Sequence, residues 1–368
     1  MATNRPAADY RVAVLPGDGI GPEVIAEAQA TLELAAELGG FAVDIETFEA
    51  GGAHHVATGR PMAPELPDRL AEFDAILAGP FGDPRVPDTV ILWGTILALR
   101  QRFDQYINLR PARTLSGVPG ALRTLGSERF DVVVVRENTE GEYSGAGGRV
   151  HRGGSDEVAV ETAVFTRAGI ERTIRYAFEY ARTHGRRRVT SATKSNALRH
   201  AMPFWDEVMA EVASEYPEIE HDSILIDALA ARVVSHPTSL DVIVASNLFG
   251  DVLSDLTAAA AGSLGTGPSA NLDPSRAHPS LFQAIHGSAP DIAGRGIANP
   301  IAEILSVALM IEFLGQPATA AAIERAVDVS TAEAQTRTAD IGGTADTRTA
   351  GEAIRRALER ELAVVEDV

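Results

Sequence analysis

The chain has no cysteine, and a single one of its 32 basic residues, Lys194, is lysine. Without cysteine there is no disulfide framework, no thiolate-ligated zinc or iron–sulfur centre and no thiolate nucleophile. Long apolar runs are also missing: Val132–Val135 is typical, far short of the roughly 18–20 residues that span a bilayer. An excess of positive charge is the third absence. The 32 basic residues face 51 acidic ones, a formal charge of −19. Phosphate neutralisation needs a basic face, so no nucleic-acid partner is expected. Met1–Asp9 hold one arginine and no hydrophobic stretch and do not read as a signal peptide. A soluble, cytoplasmic protein is expected, its 368 residues suiting two ordinary domains or one large one.

The scarcity of lysine has two readings. A drift from Lys to Arg follows from base composition or a salt-adapted surface. A drift that spares one position also marks that position, because guanidinium does not deprotonate near neutrality and cannot stand in for a shiftable amine. Composition leaves both open.

β-Branched runs alternate with amphipathic stretches. Strands are predicted at Arg11–Leu15, Ala42–Phe48, Ala75–Ala78, Val132–Val135, Arg188–Ser191 and Val242–Ala245. A helix is predicted from about Glu23 to Leu38 and another through Trp93 and Arg100. The last two strands are each expected to lead through a polar loop into a helix. This alternation argues an α/β fold with a parallel or mixed sheet. Gly141–Ser155, with six glycines, reads as an exposed arm. From about Asn299 to Val368 the chain reads as Ala-rich helices, broken at Gly315-Gln316-Pro317 and Gly342-Gly343.

Three local patterns carry chemistry. Gly17-Asp18-Gly19-Ile20-Gly21 lies between a strand and a helix, but G-x-G-x-G is not the dinucleotide fingerprint G-x-G-x-x-G. It reads as a tight βα turn lining a cleft. Asp251 and Asp255 are four apart, on one helix face after the strand Val242–Ala245. They form either a solvated acidic face or a pair of oxygen ligands suited to Mg²⁺ or Mn²⁺. Their place beyond the C-terminal end of a strand points to a ligand site. Arg100, Arg110 and Arg136 sit beside element ends, as salt-bridge partners or as forks for carboxylates.

Five motifs in order give these patterns a context. Gly17-Asp18-Gly19-Ile20-Gly21-Pro22-Glu23, Asn108-Leu109-Arg110-Pro111, Arg136-Glu137-Asn138-Thr139-Glu140-Gly141-Glu142-Tyr143, Asn247-Leu248-Phe249-Gly250-Asp251 and His286-Gly287-Ser288-Ala289-Pro290-Asp291 resemble the isocitrate/isopropylmalate dehydrogenase family, the β-decarboxylating dehydrogenases of 2-hydroxy acids. The resemblance spans about Val12 to Ala353. It implies a two-domain, non-Rossmann α/β fold and a homodimer with shared active sites. Residues 1–103 with 256–368 would form the larger, NAD-binding domain. Residues 104–255 would form the smaller substrate, metal and dimerisation domain, with an arm near 141–160.

The resemblance also implies roles. Asp251 and Asp255 match metal ligands, and Asp227 a ligand contributed by the other subunit. Arg100, Arg110 and Arg136 match a carboxylate clamp. Lys194 matches a general base reaching in from the partner, where burial beside arginines lowers an amine's pKa. Tyr143 matches the acid that protonates carbon after CO₂ leaves. His286, Gly287, Ser288, Ala289, Asp291, Ile292 and Asn299 match the cofactor-binding segment, and a carboxylate at 291 favours NAD by repelling a 2′-phosphate. A K⁺ requirement is left open.

The expected substrate is a small 2-hydroxy dicarboxylate. Trp93 occupies the position that faces the substrate's C3 group, and a bulky indole fills space rather than pairing a charge. Trp93-Gly94, Phe103-Asp104-Gln105-Tyr106 and Ala192-Thr193-Lys194-Ser195-Asn196 are similar to tartrate/D-malate dehydrogenases. 3-Isopropylmalate or homoisocitrate is the rival substrate, and a catalytically silent regulatory subunit the rival of another class. Two departures stand out: Gln283-Ala284-Ile285 where the family reads Glu-Pro-Val, and Arg295 for a usual Lys.

Overall fold

The computed structural model describes residues 9–122 and 129–366. Of the opening segment weighed as a signal peptide, only Asp9 falls among them. The outer domain limits, residues 1 and 368, lie outside them too.

The first elements are β1 (Tyr10–Leu15), α1 (Gly21–Gly39), β2 (Val43–Thr47), α2 (Gly52–Thr58), α3 (Leu66–Leu70) and β3 (Ala75–Ala78). Next come α4 (Asp88–Gly94), α5 (Ile96–Arg102), β4 (Ile107–Arg113) and β5 (Asp131–Glu137). The middle of the chain holds β6 (Gly141–Val150), β7 (Val158–Val164), α6 (Arg167–Thr183), β8 (Arg188–Thr193), α7 (Ala201–Ala213), β9 (Glu220–Leu225) and α8 (Ile226–Ser235). Then follow β10 (Val242–Ala245), α9 (Asn247–Ala261), β11 (Pro268–Leu272) and β12 (Ser280–Ala284). The chain closes with α10 (Ile301–Phe313), α11 (Pro317–Thr331) and α12 (Thr347–Glu366).

Ten strands make one mixed sheet in the order β2-β1-β3-β12-β11-β4-β5-β10-β8-β9. β2-β1-β3-β12 and β5-β10-β8-β9 pair in parallel, and the strands that join them, β12-β11-β4-β5, pair antiparallel. The predicted α/β fold is present. Val132–Val135 is wholly buried because β5 is covered on both faces, so it reads as a continuous apolar run.

The two faces are covered differently. On one, α1, α6, α7 and α10–α12 share a continuous core running from Val12 and Val14 through Val133 and Val135 to Trp205. α10 lies at its centre, buried from Ile301 to Ile311, and is accordingly apolar almost all round. On the other face the cover is split. One cluster packs Leu15, Ile76, Ile96 and Leu99; a separate one packs Val132, Val134, Ile243 and Leu253. The substrate-sized cavity described below opens between them.

Two expectations need correction. The helix through Trp93 and Arg100 is two helices, α4 and α5, because Thr95 leaves helical backbone at φ −132°, ψ −97°. No loop separates β10 from α9; Ser246 alone, in extended conformation, turns the chain. The glycine-rich segment is exposed from Gly145 onward, as expected, and starts a two-stranded hairpin, β6 with β7. No helix among the described residues is long and apolar enough to cross a membrane.

Candidate active site

Side chains alternate across a strand, so Arg110 on β4 and Arg136 on β5 project from the same sheet face: Arg110 pairs with Val134, and Asn108 with Arg136. α9 lies over that face. Gly250 permits the contact, since a Cβ there would fall 2.6 Å from Cβ and Cγ of Arg136. The first turns of α9 then meet the arginines. Arg136 donates through Nε and Nη2 to Asn247 Oδ1 (3.1 and 2.7 Å) and through Nη1 to Asp251 Oδ1 (2.5 Å). Arg110 Nη1 donates to Ser254 Oγ (2.7 Å) and reaches Asp251 (3.2 Å) and Asp255 (3.4 Å).

Arg100, from α5, completes the group and differs from the other two. It is 5% exposed, and among the described residues it makes no side-chain hydrogen bond or ion pair; its Nε is buried and unpartnered. Burial and the neighbouring Arg136 and Arg110 push its pKa well down. Burial and Arg136 likewise hold Arg110 down to about 10. A buried cation without a counterion is costly, and these three face a cavity of about 410 Å³ that Trp93, Ile96, Leu97, Tyr143, Asp251, Gln283 and His286 also line. The arrangement is short of negative charge, as a site for a carboxylate-bearing ligand must be.

The other groups respond to this field. Burial raises the Asp251 pKa, but Arg136 and Arg110 outweigh it and leave the net shift downward. Asp255, more weakly paired, is raised by burial despite Arg110. Tyr143 donates to Asp251 Oδ2 (3.1 Å), and burial together with Asp251 raises its pKa, keeping the phenol protonated near neutrality. Two carboxylates one turn apart offer hard oxygen donors. Among the described residues no third metal-capable side chain converges with them.

Lys194 and Asp227 are brought together elsewhere. β8 and β9 run parallel with Thr193 beside Leu225, so the residues just past their ends meet, and Lys194 Nζ lies 2.5 Å from Asp227 Oδ1. The Lys194 ammonium holds the Asp227 carboxyl below its usual value. Neither residue lines the cavity.

A second cleft of about 500 Å³ shares His286 and Gly287 with the first and adds Ile20, Ala289, Ile292, Asn299 and Asp340. Its apolar walls and polar end are the size and chemistry of a nucleoside site. Burial holds the His286 pKa down, leaving a neutral imidazole. Ser288 is buried behind the loop, its carbonyl accepting from Ile20 N (2.8 Å). Asp291 is exposed at the rim. The turn Gly17–Gly21 thus braces this loop and lines the cleft, as its sequence suggested.

Residues 11–354 match the family described as isocitrate/isopropylmalate dehydrogenase. The chain belongs to this family. It is 50% identical to a probable tartrate dehydrogenase/decarboxylase of Agrobacterium vitis over 351 residues, 95% of this chain and 96% of that protein. It is 52% identical to D-malate dehydrogenase (decarboxylating) of Escherichia coli strain K12 over 307 residues, 83% of this chain and 85% of that protein. The crystal structure of isocitrate dehydrogenase from Methylococcus capsulatus is similar at a TM-score of 0.86 and 37% identity, covering 95% of this chain and 99% of that one.

In this dehydrogenase some working residues escaped the sequence reading. Asp340 accepts from Ser263 Oγ (2.8 Å), Asn299 Nδ2 (3.0 Å) and Thr338 Oγ1 (2.6 Å) at the polar end of the second cleft. Asp18 accepts from the backbone amides of Gly52, Ala53 and Gly82, tying three loops together. Asp18 sits in a quoted motif and Asp340 in none, and most of their partners are remote in sequence.

Proposed function

We propose that this enzyme oxidises a small 2-hydroxy dicarboxylate, D-malate or tartrate, with NAD as hydride acceptor and Mg²⁺ or Mn²⁺, and releases CO₂ where the oxidised product is a β-keto acid. The unpaired, buried Arg100 facing the cavity beside Arg110 and Arg136 carries this reading. Three guanidiniums suit two carboxylates, and relatives at about half identity are named for tartrate and D-malate.

The residues divide the work by position. Arg100, Arg110 and Arg136 bind and orient the acid. Tyr143 Oη holds a proton beside Asp251 and delivers it to C3 after CO₂ departs. Lys194 Nζ takes the C2 hydroxyl proton, in the cavity of a second copy of the chain. A homodimer is supported by what one chain leaves undone: Lys194 and Asp227 lie off their own cavity, and Asp251 and Asp255 need a third donor. When bound on these carboxylates, the divalent ion would act as a Lewis acid on the C2 oxygen. NAD would lie in the cleft of His286–Ala289, Ile292 and Asn299, with Asp291 toward the ribose. The strand blocks contributed by residues 1–103 with 256–368 and by 104–255 would serve as the two domains closing over it.

Steady-state rates with D-malate, tartrate, 3-isopropylmalate and isocitrate, each with NAD and with NADP plus Mn²⁺, test the reading. NAD reduction with the first two acids is expected. Turnover of 3-isopropylmalate alone would transfer the assignment to that rival, and Trp93 would then be ordinary packing.

A further inference from the structure

The arm does more than carry Tyr143. β6 and β7 pair regularly from Ala146 onward, but between Gly141 and Ala146 the register shifts: five steps on β6 face two on β7, from Val164 to Thr162. Such a bulge re-aims the chain. Ser144 Oγ, donating to Thr162 O (2.7 Å), pins it. At its far end Gly145 has a left-handed backbone, φ +74°. A Cβ there would lie 2.8 Å from Trp93 Cη2 and 3.0 Å from Cζ3. The obstacle is the six-membered ring of an indole, a rigid plate rather than the free end of a flexible chain.

Trp93 is 41% exposed, so an indole pushed from the bulge moves into open space and away from its place on the cavity wall. It stands at the end of α4, and Gly94 is pressed against Pro61, where a Cβ would meet Cγ at 2.6 Å. The indole thus rests its six-membered ring on the bare backbone of the bulge while it lines the substrate cavity.

We infer that Gly145 is a specificity-determining position: the side-chain-free bulge of the arm and the Trp93 indole form one wall that sets the room beside the substrate's C3. The substrate named here rests on the proposed function, whereas the wall rests on geometry. A methyl group at 145 displaces the indole, since the bulge is held by Ser144 and by the Tyr143–Asp251 hydrogen bond. The cost falls on substrate fit rather than on the chemical step.

The test is a cycle of Gly145→Ala, Trp93→Ala and the double variant, with kcat and KM for D-malate. Gly145→Ala is expected to raise KM about tenfold with kcat changed less than about twofold, as overpacking at a binding wall should. In the Trp93→Ala background the same change should move KM by less than about twofold, because the collision is gone. An equal effect in both backgrounds would show backbone strain alone and overturn the proposal, as would an unchanged KM. A readout without turnover separates this from the substrate reading. The chain has two tryptophans, and Trp205 is fully buried, so the emission lost in Trp93→Phe belongs to Trp93. A changed Trp93 emission in Gly145→Ala supports the wall, and an identical spectrum overturns it. Wild-type protein inert toward every acid would count against the substrate reading only, with fluorescence deciding the wall.

Discussion

Glu303 lies in the first turn of α10, 0% exposed, with neither carboxylate oxygen in good hydrogen-bond geometry. Burial pushes its pKa up to about 8, the Ala284 amide pulling only weakly the other way. The folded state therefore holds a proton that the unfolded chain releases near its ordinary value of 4.5. Stability from this group is fully present below that value and falls as pH rises toward about 8. Glu303→Gln should remove this slope, stabilising the protein by roughly 2–3 kcal/mol at pH 7 with little gain at pH 4.5. Denaturant midpoints at both pH values check it; equal gains at both would mean the carboxyl is not titrating. Such a residue shows where sequence reading stops. Nothing in Pro300-Ile301-Ala302-Glu303 announces a carboxylate inside a core, because its cost depends on what α10 packs against. The same holds for Arg100, whose missing counterion is a property of the folded cavity. Lys194 stood out in the sequence for the opposite reason: its signal is compositional.

Among the elements, α9 bears most on the site, since it brings Asn247, Asp251, Ser254 and Asp255 onto the arginines of β4 and β5. Gly250→Ala would force its methyl into Arg136, at 2.6 Å in the present packing. We expect a loss of about 1–3 kcal/mol in stability, the usual cost of overpacking, and weaker substrate binding as α9 lifts. Melting curves with and without D-malate measure both; wild-type values on both counts would show that α9 does not depend on this close approach. The strands built from β-branched runs were readable, and β10 and β3 fall where expected. β4 was not, because Pro111 and alternating polar residues disguise it. Pro111 lies beyond the stretch paired with β11, which stops at Leu109, so its missing N–H costs the sheet nothing on that side. The break at Thr95 was missed although Gly94 stands beside it, because α4 and α5 share one apolar pattern.

At the scale of the whole molecule, sheet order places residues from both ends of the chain beside the middle ones, and motif order alone could not show which face they open on. The proposed second copy gives the strongest prediction at this scale. Tyr143→Phe and Lys194→Arg should each abolish turnover while keeping the fold. Dissociated and reassociated together, they should recover about a quarter of wild-type activity, because half of the symmetric dimers are mixed and each mixed dimer has one intact site. With both single variants inactive, failure to recover any activity would place Lys194 in its own chain's site. The central claim, that this cavity oxidises and decarboxylates a small 2-hydroxy dicarboxylate, is tested most directly by following NADH and CO₂ together from D-malate, NAD and Mn²⁺. The account predicts equal amounts of the two, lost in Arg100→Ala. No NADH from D-malate or from tartrate would contradict it.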